Sequence, residues 1–211
     1  MYFNLHARGE VLRMALWKSK MPFEDQRIEL SEWPAIKPTT PSGSMPVLTT
    51  PDGTKLTQTN SILRFIGAKG GLYSKKVEEM MAIDQLVDWG PDIHITMGGI
   101  AGSAAFGGPV FTPEENLAKC APLFDQWFRI VEARLKGHGK KYVAGTDHMT
   151  IADLMLAQVP FTLIENDMHF DPGCQAYARD LMAKNPCTKK WCEMMMMEFK
   201  DYLATRKPSP F

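Results

Sequence analysis

Signals for β-strands are confined to the first third of this 211-residue sequence. Four short β-prone runs lie there, at residues 2–5, 25–30, 45–50 and 55–57. A β-α-β unit makes its two strands parallel, whereas a hairpin adds an antiparallel pair. The order therefore predicts an α/β domain of thioredoxin-like layout with a mixed four-stranded sheet over residues 1–71. After residue 72 only helical periodicity remains, which predicts an all-α domain over residues 75–211.

Two segments of the second half carry helix-start signals. Thr112 precedes Pro113 and stands three residues before Glu115, which is the pattern of a capping box with proline in the first turn. Thr150 and Asp153 repeat that spacing, and the flanking Met149 and Leu154 are placed to form a hydrophobic staple. Each motif predicts the beginning of a helix.

Glycine and proline predict two interruptions in the helical half. The pair Gly90-Pro91 falls within an apolar pattern over residues 78–97 and predicts a kink there. The glycine-rich stretch that follows predicts a loop over residues 98–109. It contains no phosphate-binding pattern such as G-x-G-x-x-G.

Composition excludes several classes of function. Lys and Arg together number 24, as do Asp and Glu, so the chain lacks the basic excess that is typical of nucleic-acid binding. No apolar run is long enough to cross a membrane. Polar and charged residues begin at Asn4, which is not typical of a signal peptide, so a cytoplasmic location is expected.

The spacing of the cysteines and histidines indicates no functional site, and the methionines leave two interpretations open. The four cysteines have no C-x-x-C spacing, which favours reduced thiols over a disulfide or metal framework. The five histidines have no metal-binding spacing, so no metal site is expected. Fifteen methionines include the run 194–197, which is either core filler or an adaptable apolar contact surface.

The turn before the third strand contains an X-Pro bond, Met45-Pro46. Proline cannot donate to a strand ladder, so Pro46 is expected at the start of a strand or beside one. X-Pro bonds can be cis. A cis bond here would turn the backbone groups of Met45 outward, where an extended ligand could pair with them.

Five short motifs, in order along nearly the whole chain, resemble the glutathione transferase family. They are Tyr2–Glu10, Trp33–Lys37, Met45–Leu48, Gln58-Thr59 and Thr150–Asp153. They are most similar to the sigma class, which includes prostaglandin D synthase of the haematopoietic type and the S-crystallins. The resemblance implies a glutathione-binding thioredoxin-like domain and a helical domain that contributes the electrophile pocket.

The resemblance also implies the catalytic pair. A free thiol has a pKa of about 8.5, and the thiolate is the reactive form. The family implies that the hydroxyl of Tyr2 donates a hydrogen bond to the glutathione sulfur, and that Arg8 adds positive potential nearby. Position alone would make Tyr2 a packed strand aromatic.

Glutathione carries two carboxylates and an ammonium group, each of which needs a partner. The implied binding residues are Trp33, Lys37, Met45, Pro46, Gln58, Thr59 and Asp92. Trp33 and Lys37 would hold the glycyl carboxylate, and the start of a helix at Thr59 would hold the γ-glutamyl carboxylate. Asp92 would reach the ammonium from the neighbouring subunit of a homodimer. Without the resemblance, Trp33 would be a loop anchor and Lys37 a surface lysine. Thr59 would be an N-cap and Asp92 a surface carboxylate.

Family position also implies candidates for the electrophile pocket. They are Phe3, His94, Met155 and Val159, all of which are equally core residues by default. The predicted reaction is addition of the glutathione thiolate to a small apolar electrophile, or isomerisation of that electrophile, with glutathione as cosubstrate and no metal.

The alternative is a catalytically weak or inactive protein of the same fold, kept as a structural protein or as a subunit of a larger assembly. The glycine-rich stretch and the methionine run are among the features that favour it. A thioredoxin-like redox protein is nearly excluded, because the first helix has no cysteine and the chain has no C-x-x-C motif.

Overall fold

The computed structural model describes residues 1–101, 103, 107–168 and 171–210. Its strands form two pairs that meet at Met1. The parallel pair is β1 (Tyr2–Phe3) and β2 (Arg27–Ile28), and the antiparallel pair is β3 (Val47–Thr49) and β4 (Lys55–Thr57). Met1 and Val47 exchange both backbone hydrogen bonds, at 2.8 and 3.1 Å, as in an antiparallel ladder. The four-stranded mixed arrangement predicted from the sequence is therefore confirmed.

The strands are shorter than predicted, because side chains and turns take up the carbonyls that would continue the ladder. After β1, the carbonyl of Phe3 accepts from the N–H of Leu5 at 2.8 Å. The Arg13 guanidinium donates to the carbonyl of Leu5 at 2.9 Å and to that of Phe3 at 3.4 Å. This turn leads the chain directly into the first helix.

Helices account for the rest of the fold. They are α1 (Ala7–Lys18), α2 (Trp33–Ile36), α3 (Thr59–Gly70), α4 (Val77–Ala101), α5 (Pro113–His138), α6 (Ile151–Gln158), α7 (Pro172–Lys184), α8 (Pro186–Glu198) and α9 (Lys200–Thr205). Between α6 and α7, Val159–Ile164 is a π-helical segment. In the described parts of the chain, no helix is both long enough and apolar enough to span a membrane.

Both predicted capping boxes are present. Thr112 accepts from the N–H of Glu115 at 3.2 Å, and the Glu115 carboxylate accepts from the N–H of Thr112 at 2.8 Å. Asp153 is fully buried and accepts from the N–H of Thr150 at 2.9 Å. It also accepts from the indole N–H of Trp191 at 3.1 Å, so this cap joins α6 to α8.

Helix α4 is continuous through Gly90 and Pro91, so the kink predicted there does not end the helix. The helix continues to Ala101, so the loop predicted from residue 98 is wrong for its first residues. Part of that predicted loop, residues 102 and 104–106, lies outside the described residues. A Cβ atom on Gly90 would lie 2.4 Å from Cγ of Met155. The glycine is therefore needed for close packing of α4 against α6.

Replacing Gly90 by alanine is expected to lower the free energy of unfolding by about 1–3 kcal/mol, because the added methyl overpacks the contact with Met155. Urea unfolding would measure the loss. The matched control is Gly99→Ala in the same helix, where no atom lies within 4 Å of the added Cβ. That substitution is expected to be neutral or to stabilise by about 0.5–1 kcal/mol. Equal effects at both positions would contradict the packing argument.

A buried charge network ties α1 to the C-terminal residues. Glu10 is fully buried and accepts from the hydroxyl of Tyr202 at 2.8 Å. The guanidinium groups of Arg13 and Arg206 each donate to the same carboxylate at 3.3 Å. One turn earlier, Nε2 of His6 donates to the carbonyl of Lys207 at 2.9 Å. The last residues of the chain thus brace the turn that leads into α1.

The methionine run belongs mainly to the core. Met195 is completely buried on α8, whereas Met197 is 73% exposed. The interpretation as core filler therefore holds for Met195 and not for Met197. All four cysteines are free thiols.

Candidate active site

Two adjoining cavities, of about 240 and 250 Å³, open between the thioredoxin-like domain and helix α4. The first is lined by Tyr2, Phe3, Leu5, Met45, Gly98 and Leu163, among others. The second is lined by Gln58, Thr59, Asn60, Pro91, Met155 and Gln158. Arg8, His94 and Ile95 line both, so the two cavities form one cleft with a common wall.

The Tyr2 hydroxyl is held at the first cavity by the first turn of α1. Its oxygen accepts from the backbone N–H of Arg8 at 3.3 Å, and its ring lies against Gly9, where a Cβ would come within 2.4 Å. Burial raises the pKa of Tyr2, and the Arg8 N–H opposes that rise only in part. The phenol therefore keeps its proton at neutral pH. Among the described residues nothing accepts that proton, so it is available to a ligand.

Arg8 lies at the junction of the two cavities. Its side chain is exposed and forms no ion pair or hydrogen bond within the described ranges. The turn before it includes Ala7 at φ +32°, a conformation that side chains rarely adopt. An unpaired guanidinium beside a cleft can bind a carboxylate or stabilise a nearby anion.

The second cavity contains the N-terminus of α3. Gln58 has φ +71°, which turns the chain sharply from β4 into the helix. The N–H groups of Thr59, Asn60 and Ser61 donate to no acceptor in the described part of the molecule, and α3 has no side-chain cap. Free amides at the positive end of a helix dipole form a ready site for a carboxylate.

Met45 lines the first cavity. The Met45-Pro46 peptide bond is cis, which confirms the possibility raised from the sequence. Neither the N–H nor the carbonyl of Met45 forms a hydrogen bond with any residue that the structure describes. Pro46 lies on the other side, in a small cavity with Met1 and Leu12, so it supports the cleft without lining it.

His94 forms an uncharged part of the common wall. Its Nε2 lies 3.0 Å from Oγ1 of Thr162, which itself donates to the carbonyl of Gln158. The hydroxyl of Thr162 has only one proton, so Nε2 of His94 must be the donor. Nδ1 then carries no proton, and it has no hydrogen-bond partner among the described residues. Burial lowers the pKa of His94 to about 4, so the ring is neutral at pH 7.

Comparison with known proteins decides the family. Residues 1–68 match the family model described as "Glutathione S-transferase, N-terminal domain". The Caenorhabditis elegans protein named "Probable glutathione S-transferase 8" is 30% identical over 204 residues, which cover 91% of this chain and 93% of that protein. The chain belongs to the glutathione S-transferase family.

Solved structures agree with that assignment. The glutathione S-transferase from Ascaris lumbricoides superposes on this transferase with a TM-score of 0.82 and 26% identity, covering 100% of this chain and 97% of the other. Prostaglandin synthase D of Nilaparvata lugens has a TM-score of 0.74 at 24% identity, covering 98% and 96% of the two chains, and is similar in fold. The predicted family and two-part fold are confirmed.

Several residues predicted for the transferase site lie outside both cavities. Trp33 packs edge-on against Phe3, with ring centroids 5.6 Å apart, and so lies just beyond the first cavity. Lys37 is exposed at the start of a short 3-10 helix that follows α2, and Asp92 is exposed on α4. Val159 is 1% exposed, so it lies in the core, which was the default interpretation of that residue.

The sequence also missed residues that do line the cleft. Ile95 lies on both cavity surfaces, Gln158 lines the second cavity, and Leu163 lines the first. Each of them continues an apolar or helical pattern that is equally typical of the core. Ile95 follows His94, and Gln158 is three residues after Met155. The only available sequence signal was therefore their closeness to these two predicted pocket residues on the same helices.

Proposed function

We propose that this glutathione transferase activates bound glutathione with the hydroxyl of Tyr2. The single observation that carries the proposal is the hydrogen bond from the Arg8 N–H to the Tyr2 oxygen, at 3.3 Å. The oxygen is held as an acceptor, so its own proton is directed to another group. A hydrogen bond donated to the sulfur favours the thiolate over the thiol and so lowers the pKa of glutathione. The thiolate is the nucleophile.

The γ-glutamyl carboxylate of glutathione fits the second cavity. The free amides at the start of α3 and the unpaired guanidinium of Arg8 face the same space. Gln58 and Thr59 both line it, which supports the roles that the resemblance implied for them. Together these groups supply neutral and charged donors to one anion.

The rest of the tripeptide would extend along the edge of the sheet. Met45, with two unused backbone groups, is suited to pair with the cysteinyl part. Trp33 borders the first cavity through Phe3, and Lys37 is exposed directly after the short helix α2 that begins at Trp33. We assign the glycyl carboxylate to Trp33 and Lys37, which would close on it when glutathione binds.

The first cavity suits a small apolar electrophile. Its wall includes Phe3, Leu5, Ile95 and Leu163, and His94 contributes a neutral ring. Because Tyr2 lines the same cavity, a sulfur bound there would lie beside the electrophile. We propose addition of the thiolate to such a molecule, as in detoxification, with isomerisation as the variant. Met155 lines the glutathione side of the cleft, and Val159 would act only as support.

A homodimer of sigma type is proposed from the exposed face of α4. Val77 is 74% exposed and Met81 is 60% exposed on this helix. Asp92 is exposed farther along the same helix and outside both cavities, which suits a role in the partner's site rather than its own. Contact through this face would cover the two apolar side chains.

A cytoplasmic location is proposed on the four free cysteines, which suit a reducing compartment. The alternative of an inactive structural relative is not favoured, because the curated relatives are named as transferases.

The two-part test of the function is retention on immobilised glutathione followed by turnover of an aryl halide. We expect retention that free glutathione reverses, together with turnover. Retention without turnover would favour the structural alternative. Failure of both would overturn the site as well as the activity.

A further inference from the structure

Residues 206–210, here called the C-terminal segment, follow α9 without forming a helix or a strand. The segment is nevertheless packed into the molecule, because Ser209 is only 2% exposed. Buried backbone that belongs to no helix or strand must find other hydrogen-bond partners. The partners of the C-terminal segment therefore show which parts of the fold it joins.

Two of these contacts are made with His6, the residue directly before α1. The backbone N–H of His6 donates to Oγ of Ser209 at 3.3 Å. Nε2 of the imidazole lies 2.9 Å from the carbonyl oxygen of Lys207. Because a carbonyl can only accept, Nε2 carries the proton and donates it. Burial lowers the pKa of His6, so the ring is neutral at pH 7 and its one proton is committed to Lys207.

The same segment is anchored to the helical domain. The Arg206 guanidinium donates to the carbonyl of Phe161 at 2.7 Å, within the π-helical segment. The side-chain amide of Asn166, two residues after that segment, donates to the carbonyl of Ser209 at 2.9 Å. The C-terminal segment thus holds the start of α1 against a part of the helical domain that lines the first cavity through Leu163.

The backbone between His6 and Arg8 has a conformation that needs such support. Ala7 has φ +32°, a region that residues with a side chain rarely adopt. Strained conformations of this kind persist only where the surrounding contacts hold them in place. Here the C-terminal segment holds His6 on one side of Ala7, and on the other side the N–H of Arg8 donates to the Tyr2 hydroxyl at 3.3 Å.

The bond from the Arg8 N–H to the Tyr2 oxygen links this strained backbone to the chemistry. Arg8 is only two residues beyond His6, so a shift of His6 would bend or break that bond. Hydrogen bonds weaken steeply as their angle departs from linear. The Tyr2 proton would then lose its fixed direction, and the thiolate of glutathione would be less stabilised.

We propose that His6 and the C-terminal segment together position Tyr2 and Arg8 for activation of the glutathione thiol. His6 lines neither cavity of the cleft, so it is a positioning residue that acts through the backbone of Ala7 and Arg8. The inference rests on the proposed function of Tyr2. It adds that a contact between residues about 200 positions apart sets the strength of that function.

The test compares His6→Leu with His6→Gln. Leucine removes the donor to the Lys207 carbonyl, whereas the glutamine amide retains an N–H donor. With glutathione saturating, we expect His6→Leu to raise the pKa of the bound thiol towards its free value of about 8.5. Turnover of an aryl halide should fall about tenfold, since small misplacements of catalytic groups cost up to about 10²-fold. His6→Gln should stay close to the wild type in both measurements.

A second variant removes residues 207–211 and so takes away both acceptors of His6. It keeps Arg206 and the pair that Arg206 forms with Glu10 at 3.3 Å. We expect the same rise in the pKa of bound glutathione as in His6→Leu. Because the two changes remove the same contacts, their combination should have no larger effect than either change alone. If His6→Leu failed to fold, this deletion alone would decide the matter by the same measurement.

The matched control for lost stability is Glu132→Gln. The Glu132 carboxylate accepts from the N–H groups of Cys187 and Thr188, at 3.3 and 2.8 Å, and lines neither cavity. This substitution should lower the free energy of unfolding measured in urea, and it should leave the pKa of bound glutathione unchanged. A variant that only loosens the fold is thereby separated from one that misplaces Tyr2.

Three results would overturn the positioning role. They are an unchanged glutathione pKa in both His6→Leu and the deletion, equal effects of leucine and glutamine at position 6, or additive effects in the combined variant. Failure of the proposed function looks different, because the wild type itself would then bind glutathione without lowering the pKa of its thiol.

Discussion

Tyr2→Phe is expected to reduce turnover of an aryl electrophile by about 10²-fold at neutral pH, the range that proton-donating side chains contribute. Among the described residues that line the first cavity, Tyr2 alone has a hydroxyl, and the substitution removes it. It leaves the ring against Gly9 and hence the packing. Retention on immobilised glutathione should persist, since the α3 amides and Arg8 are unchanged.

The thiolate absorbance of bound glutathione, followed against pH, gives the direct measurement. In the wild type the thiol should ionise below its ordinary pKa of about 8.5, and in Tyr2→Phe close to that value. Tyr177→Phe is the control, because its hydroxyl contacts Asp125 between α5 and α7, remote from the cleft. If both variants kept full turnover, thiol activation would have to be assigned to another group.

Glu10→Gln is expected to lower the free energy of unfolding by about 3–5 kcal/mol, the usual loss when one partner of a buried ion pair is removed. Glu10 is 0% exposed, and the substitution leaves Arg206 and Arg13 without their shared counter-charge. In a chain of this length that corresponds to a melting temperature about 10 °C lower. Urea unfolding and thermal denaturation would both measure it.

The matched control is Glu198→Gln, which removes a salt bridge of 2.8 Å to Lys18 at the surface. An exposed pair of this kind contributes at most about 1 kcal/mol. If the two substitutions had the same effect, burial of the Glu10 network would not contribute to stability in the way described.

The same network predicts a pH dependence. Burial raises the pKa of Glu10, but His6, Arg206, Arg13 and the Tyr202 hydroxyl together outweigh it and hold the pKa below its ordinary value. Because the pKa of Glu10 is lower in the folded than in the unfolded state, its ionised carboxylate stabilises the protein above the unfolded pKa of about 4.3. That stabilisation is lost as the pH falls through the folded pKa. Unfolding free energies measured from pH 7 downward should therefore fall less steeply in Glu10→Gln than in the wild type.

Local sequence signals gave the elements and the family, because their physical causes are local. The capping boxes at Thr112 and Thr150 each depend on a spacing of three residues, and both formed. Motif order was sufficient to assign the transferase family. The predicted residues Tyr2, Arg8, Gln58 and Thr59 all line the cleft, and their roles stay predictions.

Local signals failed where a distant contact reversed them. Gly90-Pro91 predicted a kink, but only distant contacts show how α4 continues through both residues. Gly90 allows a close approach to Met155, 65 positions later in the sequence. The carbonyl of Val87, which Pro91 cannot bond, accepts from Nδ2 of Asn60 at 3.3 Å. Glu10 looked like part of a motif, but its partners Tyr202 and Arg206 lie almost 200 residues away.

Residue type and short spacing were enough to predict the order of strands and helices, the family, and the chemistry available at Tyr2. Which residues share a cavity, and that the Tyr2 oxygen accepts from Arg8, followed only from three-dimensional packing. Cavity walls are assembled from side chains of distant elements, and packing, which local patterns do not encode, determines which of those side chains meet.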